Sequence, residues 1–204
     1  HKEYRRQRQM CIRDRINAVL LKVFAKVNPI KFFKKILPAQ IVAFSTQSSA
    51  GTLPVATEIL TDKIGVSGKV ANVTTPLGTT IGMPGCAGIW PILVSLYGIY
   101  GLGINFSLTD YITLVVVALF VSFGTAGVPG TATVTTASVL TVMGLPLELI
   151  VLTIPISALA DTGRTATNIT GAMVSATIVA RQEDSLDDEI FEKEDEEENK
   201  AVTA

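Results

Sequence analysis

Formal charge is scarce in most of this 204-residue sequence. Charged residues make up 17% of it, against about 25% in an ordinary soluble protein, while 48% of residues are apolar. The distribution is more telling than the average. Residues 1–36 hold 11 Lys/Arg against 2 Asp/Glu, residues 37–180 hold 3 against 5, and residues 181–204 hold 3 against 11. Eight charges over the central 144 residues cannot clothe the surface of a soluble fold, so the composition points to a membrane. A soluble apolar-rich enzyme is the competing reading. Histidine is confined to His1, which excludes imidazole-based triads and HExxH zinc sites within the chain. The two cysteines, Cys11 and Cys86, form no CxxC pair, which excludes a disulfide framework or a thiolate zinc cluster. Neither GxGxxG nor a GxxxxGKS/T phosphate loop occurs, so nucleotide chemistry has no apparatus here.

Residues 1–15, HKEYRRQRQMCIRDR, fit neither a signal peptide nor an amphipathic helix, and the composition breaks at Ile16. They read as a non-native or disordered leader. A basic arm for nucleic acid would interleave an aromatic platform that this stretch lacks, so no nucleic-acid partner is expected. Residues 16–29 then look like the end of a truncated transmembrane helix.

Apolar segments of two lengths make up the next 150 or so residues. Residues 30–65 hold two short arms either side of Ser48-Ser49-Ala50-Gly51-Thr52-Leu53-Pro54, and residues 108–145 repeat the design around Gly124-Thr125-Ala126-Gly127-Val128-Pro129-Gly130. No arm reaches the roughly 20 residues that cross a bilayer. Paired half-length helices joined by Gly/Pro tips are what re-entrant hairpins require, because irregular backbone survives at membrane depth only inside protein or against a watery cavity. Each hairpin precedes a longer segment: 70–103, interrupted at Gly82-Met83-Pro84-Gly85-Cys86, and 149–180. The chain therefore predicts an all-α membrane protein. Its two re-entrant hairpins and two transmembrane helices, one of them broken, form an inverted-repeat transport domain over 30–180, with a binding site at midplane. Lys31, Lys34, Lys35, Lys63 and Lys69 surround the first hairpin, and no Lys or Arg falls between 70 and 163. The first hairpin is thus expected to enter from the cytoplasm, leaving residues 181–204 as an acidic, disordered cytoplasmic tail.

Chemistry is concentrated on the last span. Asp161 and Arg164 are three residues apart and share a helix face, joined by Thr165 and by Asn168 a turn beyond. Each charge at a bilayer centre costs roughly 2.5–3.5 kcal/mol on insertion scales, which argues for a use. The pair reads as a zwitterion clamp, the guanidinium for a carboxylate and Asp161 for an ammonium; a structural ion pair is the alternative. The hairpin tips add hydroxyls and half-helix ends, or else merely pack closely through their small residues. Trp90 and Tyr97 are expected to face lipid or to pack.

The stretches AFSTQSSAGTLPVAT (43–57), TPLGTTIGMPGCAG (75–88), SFGTAGVPG (122–130) and DTGRTATNITG (161–171) resemble the C-terminal half of dicarboxylate/amino acid:cation symporters, the family that includes the glutamate transporters. The resemblance implies secondary active symport at the plasma membrane by an elevator-type movement, no enzyme activity, and a homotrimer in the full-length protein. It places Ser49, Val128, Asp161, Arg164, Thr165 and Asn168 against a small amino acid or dicarboxylate substrate. Two departures stand out. GMPGC replaces the Asn-Met-Asp-Gly-Thr of sodium-coupled members, and Gly171-Ala172 replaces their Gly-Asp. Hard cations want charged oxygen ligands, so two of the family's sodium sites should be absent or weakened. What the resemblance leaves is a site of backbone oxygens near Thr80, Ser122, Phe123 and Thr125 with the Met83 sulfur, and no cofactor beyond a sodium ion. GMPGC is most similar to the L-cystine branch. The expectation is symport of an amino acid such as L-cystine with few sodium ions or with protons. C4-dicarboxylate or neutral amino acid symport and an anion-conducting pore are the alternatives.

Overall fold

The computed structural model describes residues 15–81, 83–123, 128 and 130–193. Among them the regular structure is entirely helical, at 83% helix without strands. The first helix, α1 (15–25), ends in a π-helical turn at Leu21–Ala25. Asn28 caps the next through its side chain, which accepts from Ile30 N, and Pro29 fills the first helical position. This helix, α2 (Pro29–Thr46), closes on Gln47 in the left-handed region, and Ser48 immediately caps α3 (Ser49–Ile59) by accepting from Gly51 N at 3.0 Å. Two consecutive caps turn the chain in two residues, so α2 and α3 pack on each other. The 18 residues of α2 start at Pro29, the last residue of the stretch expected to end the previous segment, because the Asn-Pro pair begins a new helix there.

A π-turn at Leu60–Ile64 leads from α3 through Gly65 to α4 (Gly68–Ile81). The expected interruption is present: Met83 leaves helical geometry at φ −105°, ψ 62°, a π-helical turn occupies Pro84–Ile89, and α5 runs Trp90–Gly101. Proline has no N–H to continue the ladder and therefore fixes the break. A reciprocal Ser107–Asp110 capping box opens α6 (Leu108–Ser122), and α7 (Thr131–Val142) follows Gly130 at φ 87°. The longest element, α8 (Glu148–Gln182), continues for 35 residues through Pro155. Gly68–Gly101, taken with its break, and Glu148–Gln182 are long and apolar enough to cross a membrane. The helices α3, α6 and α7, at 11, 15 and 12 residues, stay below that length.

Two apolar cores hold these helices. One gathers Phe32, Ile36, Ala56, Leu60 and Ala71 around Ile169, Met173 and Ala180; the other gathers Val94, Leu114, Ala118, Val139 and Leu140 around Leu149. Both draw on α8, its far end in the first and its start in the second. The stretch of α8 between them belongs to neither, and it carries Asp161 and Arg164.

The acidic tail departs from expectation. Far from being solvated from residue 181 onward, it folds back on the base of α2 and α3 as far as residue 193; 194–204 lie outside the described residues. Asp187 caps α9 (Asp188–Glu192), Leu186 pairs with Val66 as an isolated antiparallel bridge, and Asp187 N donates to Gly65 O at 2.8 Å. Gly65 has φ 84°, and a Cβ there would lie 2.3 Å from Asp187 O, so only glycine permits the contact. Lys35, 5% exposed, donates through Nζ to the carbonyls of Lys63 (2.8 Å), Lys193 (3.0 Å) and Ile190 (3.3 Å). Phe191 is 1% exposed, with the Lys31 and Lys35 ammoniums 5.8 and 5.5 Å from its ring centroid. Composition pointed to disorder because it averages over one anchoring aromatic.

Truncating Phe191 to Ala should destabilise this arm by about 3 kcal/mol, measured as faster amide exchange over 185–193 with α8 still protected. Arg181 bonds Asp188 and holds its carboxyl below the usual carboxylate range. That contribution is present above about pH 4 and is lost as pH falls through the depressed folded value. Protection of the arm, corrected for the intrinsic exchange rate, should therefore fall in acid, and Asp188→Asn should remove that part of the acid dependence.

Candidate functional site

Arg164 lies midway along α8 with its side chain nine-tenths buried. Its guanidinium is bonded at one nitrogen only. Nη2 donates to Ser157 O (3.0 Å), Ser157 Oγ (3.1 Å) and Asp161 Oδ1 (3.0 Å), while Nε and Nη1 are buried and have no partner among the described residues. Helical periodicity accounts for the bonded side, since 157, 161 and 164 follow one face at offsets of four and three. A guanidinium has five N–H donors, one on Nε and two on each Nη. Leaving a buried donor unmet costs about 1–3 kcal/mol, more when it is charged, so the two bare nitrogens mark where an acceptor belongs.

The turn at the centre of the broken span closes the site from the other side. Gly85 N donates to Asn168 Oδ1 (3.0 Å), Asn168 Nδ2 to Cys86 Sγ (3.2 Å), and the Cys86 thiol to Asp161 Oδ1 (3.6 Å). Thr135 of α7 donates to Cys86 O at 3.1 Å, and Gln47, at the α2–α3 turn, donates to Ala158 O at 3.3 Å. Both short-helix pairs are thereby tied to the same region of the fold. Trp90, the first residue of α5, covers the guanidinium with its ring centroid 4.3 Å from Arg164 Cζ.

Of the residues expected from sequence, Asp161 and Arg164 are bonded directly, and Asn168 is linked to Asp161 through Cys86. Thr165 is buried on α8, and Ser49 is buried in the first turn of α3 beside the Gln47 tether. Val128 is 51% exposed, its carbonyl caps α7 by accepting from Thr131, and no hydrogen bond joins it to Arg164 among the described residues. Met83 is buried, Phe123 is exposed, and the Thr80 and Ser122 hydroxyls donate back to carbonyls of their own helices. Thr125 lies outside the described residues. Among those residues no group of three His, Cys, Asp or Glu side chains converges.

Sequence reasoning missed Ser157, Cys86 and Trp90 as direct partners. Ser157 had a usable signal, four residues before Asp161 on the same face. Trp90 had none, because its place against Arg164 depends on how the broken span crosses α8. Tyr97 is exposed, as expected for a lipid-facing ring.

Gly85 is the residue that lets the break approach α8. A Cβ there would lie 3.0 Å from Asn168 Oδ1 and 3.2 Å from Arg164 O, whereas one on Gly88 would meet nothing within 4 Å. Gly85→Ala should destabilise the protein by about 1–3 kcal/mol, and Gly88→Ala should be neutral, as read by thermal unfolding in detergent.

Known sequences resemble this chain over most of its length. A profile of the sodium:dicarboxylate symporter family matches residues 15–182. The chain is 45% identical over 167 residues to an uncharacterized symporter of Haemophilus influenzae, covering 81% of this chain and 38% of that protein. It is 36% identical over 178 residues to the L-cystine uptake protein TcyP of Bacillus anthracis, covering 87% of this chain and 38% of that protein. A TcyP from Shouchella clausii is 38% identical over 166 residues, 81% of this chain and 36% of that protein. The chain thus spans well under half the length of these relatives, and it belongs to the sodium:dicarboxylate symporter family.

Proposed function

We propose that this chain supplies the substrate-binding part of a plasma-membrane symporter that takes up an amino acid, L-cystine foremost. The observation that carries the reading is the pair of bare donors on Arg164, in a site where the remaining nitrogen is already bonded to Asp161 and Ser157. An incoming carboxylate accepts from one of these two bare nitrogens by a charge-assisted hydrogen bond. Asp161 keeps Oδ2 without a hydrogen bond to any described residue, and there an ammonium is received. Because Asp161 and Arg164 neutralise each other, a zwitterion enters without adding net charge to an apolar interior. The relatives named for L-cystine uptake favour that substrate.

The site lies at the meeting of two short-helix pairs, a broken helix and an unbroken one. This supports re-entrant hairpins that gate the substrate from opposite sides, in an inverted-repeat domain carried across the bilayer by an elevator-type movement. In the full-length protein the assembly is a homotrimer, with the C-terminal arm on the cytoplasmic side, where Lys31, Lys34 and Lys35 accumulate.

Coupling uses few sodium ions or none. Where sodium-coupled members carry a carboxylate, this chain has Ala172, and the neighbouring helix occupies the space: a Cβ on Gly78 would lie 2.7 Å from Ala172 Cβ. Proline at position 84 removes the second carboxylate. A residual carbonyl-built site with the Met83 sulfur accommodates at most a single ion, and protons are the alternative driving species.

Uptake of labelled L-cystine into liposomes, with sodium and pH gradients imposed separately, tests both halves of the proposal. Uptake should saturate, respond to sodium with a Hill slope near one or only to the pH gradient, and fall at least a hundredfold in Arg164→Ala, since truncating one member of a buried charge pair costs about 3–5 kcal/mol. Unsaturable flux would mean a pore. Competition by C4-dicarboxylates but not by cystine would reassign the substrate, and a Hill slope near three would reject the reduced-site reading.

A further inference from the structure

We infer that Trp90 is a positioning residue for anion capture: its indole restrains the Arg164 guanidinium so that a bare nitrogen, Nε or Nη1, stays presented to a carboxylate. The inference rests on the reading of Arg164 as the carboxylate receptor and adds the device that keeps that receptor open.

Arg164 is anchored at a single atom. All three of its hydrogen bonds converge on Nη2, from Ser157 O, Ser157 Oγ and Asp161 Oδ1. Bonds that meet at one atom anchor a planar group but do not stop it from pivoting about that atom. A pivot would swing Nε or Nη1 toward Asp161 and turn the pair into a bidentate bridge, diverting one of the two bare nitrogens from a ligand. The indole, its centroid 4.3 Å from Cζ, supplies a second restraint, since a cation held over a ring is drawn to its negative face. With that face covered, an anion can be bonded only in the guanidinium plane, the geometry in which N–H donors recognise a carboxylate.

Trp90 is itself fixed from several sides. It opens α5 directly after the π-turn at Pro84–Ile89, so its direction is set by the same break that brings Gly85 to Asn168. It also lines a shallow crevice with Thr136 of α7 and with Ile150, Ile154 and Ser157 of α8. The ring therefore connects the elements that must assemble around the substrate, and it acts on the substrate only through Arg164.

The test uses the whole chain reconstituted in detergent or lipid, with L-cystine as the probe. Wild type, Trp90→Phe and Trp90→Leu are compared by equilibrium binding of labelled L-cystine and by thermal unfolding. The expected order of affinity is Trp, then Phe, then Leu, with the Leu variant weakened about tenfold to thirtyfold, as a desolvated cation–π contact implies. A packing role alone would lower the melting temperature of both variants and leave the affinity of the folded fraction unchanged. Trp90 is the sole tryptophan of the chain, so its emission should shift on titration and saturate at the midpoint of label binding. Wild-type affinity in Trp90→Leu, or emission unmoved while label binds, overturns the positioning role and leaves the carboxylate reading of Arg164 intact. Failure of the wild-type protein to bind L-cystine overturns both.

Discussion

A guanidinium with unmet donors inside an apolar helical bundle is the constraint around which this chain is arranged. Burying a charge in such surroundings is tolerable only when it is paired and hydrogen-bonded, yet here the partners supplied by the described residues stop at one nitrogen of Arg164. Every neighbouring element contributes to maintaining that incomplete state. Ser157 and Asp161 anchor the group from its own helix, the turn at Gly85–Cys86 occupies Asn168 and Asp161 from the opposite helix, and Trp90 covers a face. An active group that the protein itself fully satisfied would have nothing left for a substrate.

The two cores explain how the region escapes closure. Apolar packing is strongest where side chains interdigitate, and the structure places that packing at both ends of α8. The intervening turns belong to neither core and carry Ser157, Asp161 and Arg164 beside exposed apolar residues such as Leu152 and Leu159. Close approach there is obtained with small residues, Gly85 against Arg164 and Gly78 against Ala172, so backbones meet without filling the space beside the guanidinium. At the far end of the same helix, Lys35 and Phe191 bind the C-terminal arm to the base of α2 and α3, so that the ion-rich end of the molecule is ordered by a buried lysine satisfied through backbone carbonyls.

Much of this was legible in the sequence because its cause is local. The break before Pro84 comes from a proline that cannot donate and the Asp161–Arg164 pair from helical spacing, whereas the first reversal falls at Gln47–Ser48 and leaves the rest of the expected tip, Ser49–Pro54, inside α3. Legibility ended where an outcome depends on contacts distant in sequence or on a motif with two uses. The start of α2 at Pro29 is ambiguous in sequence because Asn-Pro serves equally as a stop and as a cap. The order of the acidic arm is hidden because one aromatic, Phe191, outweighs a run of carboxylates once it finds a pocket.

The sequence by itself determined that the chain is helical and apolar, where it breaks, which two charges it carries into that apolar stretch, and to which family its motifs belong. These are properties of composition, periodicity and proline chemistry, each expressed within a few residues. Only the tertiary structure decided which nitrogens of Arg164 are left bare, that Cys86 and Asn168 share Asp161's surroundings, and that Trp90 stacks on the cation. Those outcomes depend on how the broken helix crosses α8, and no local pattern encodes the angle or register of a crossing between helices that meet through Cys86 and Asp161, 75 residues apart.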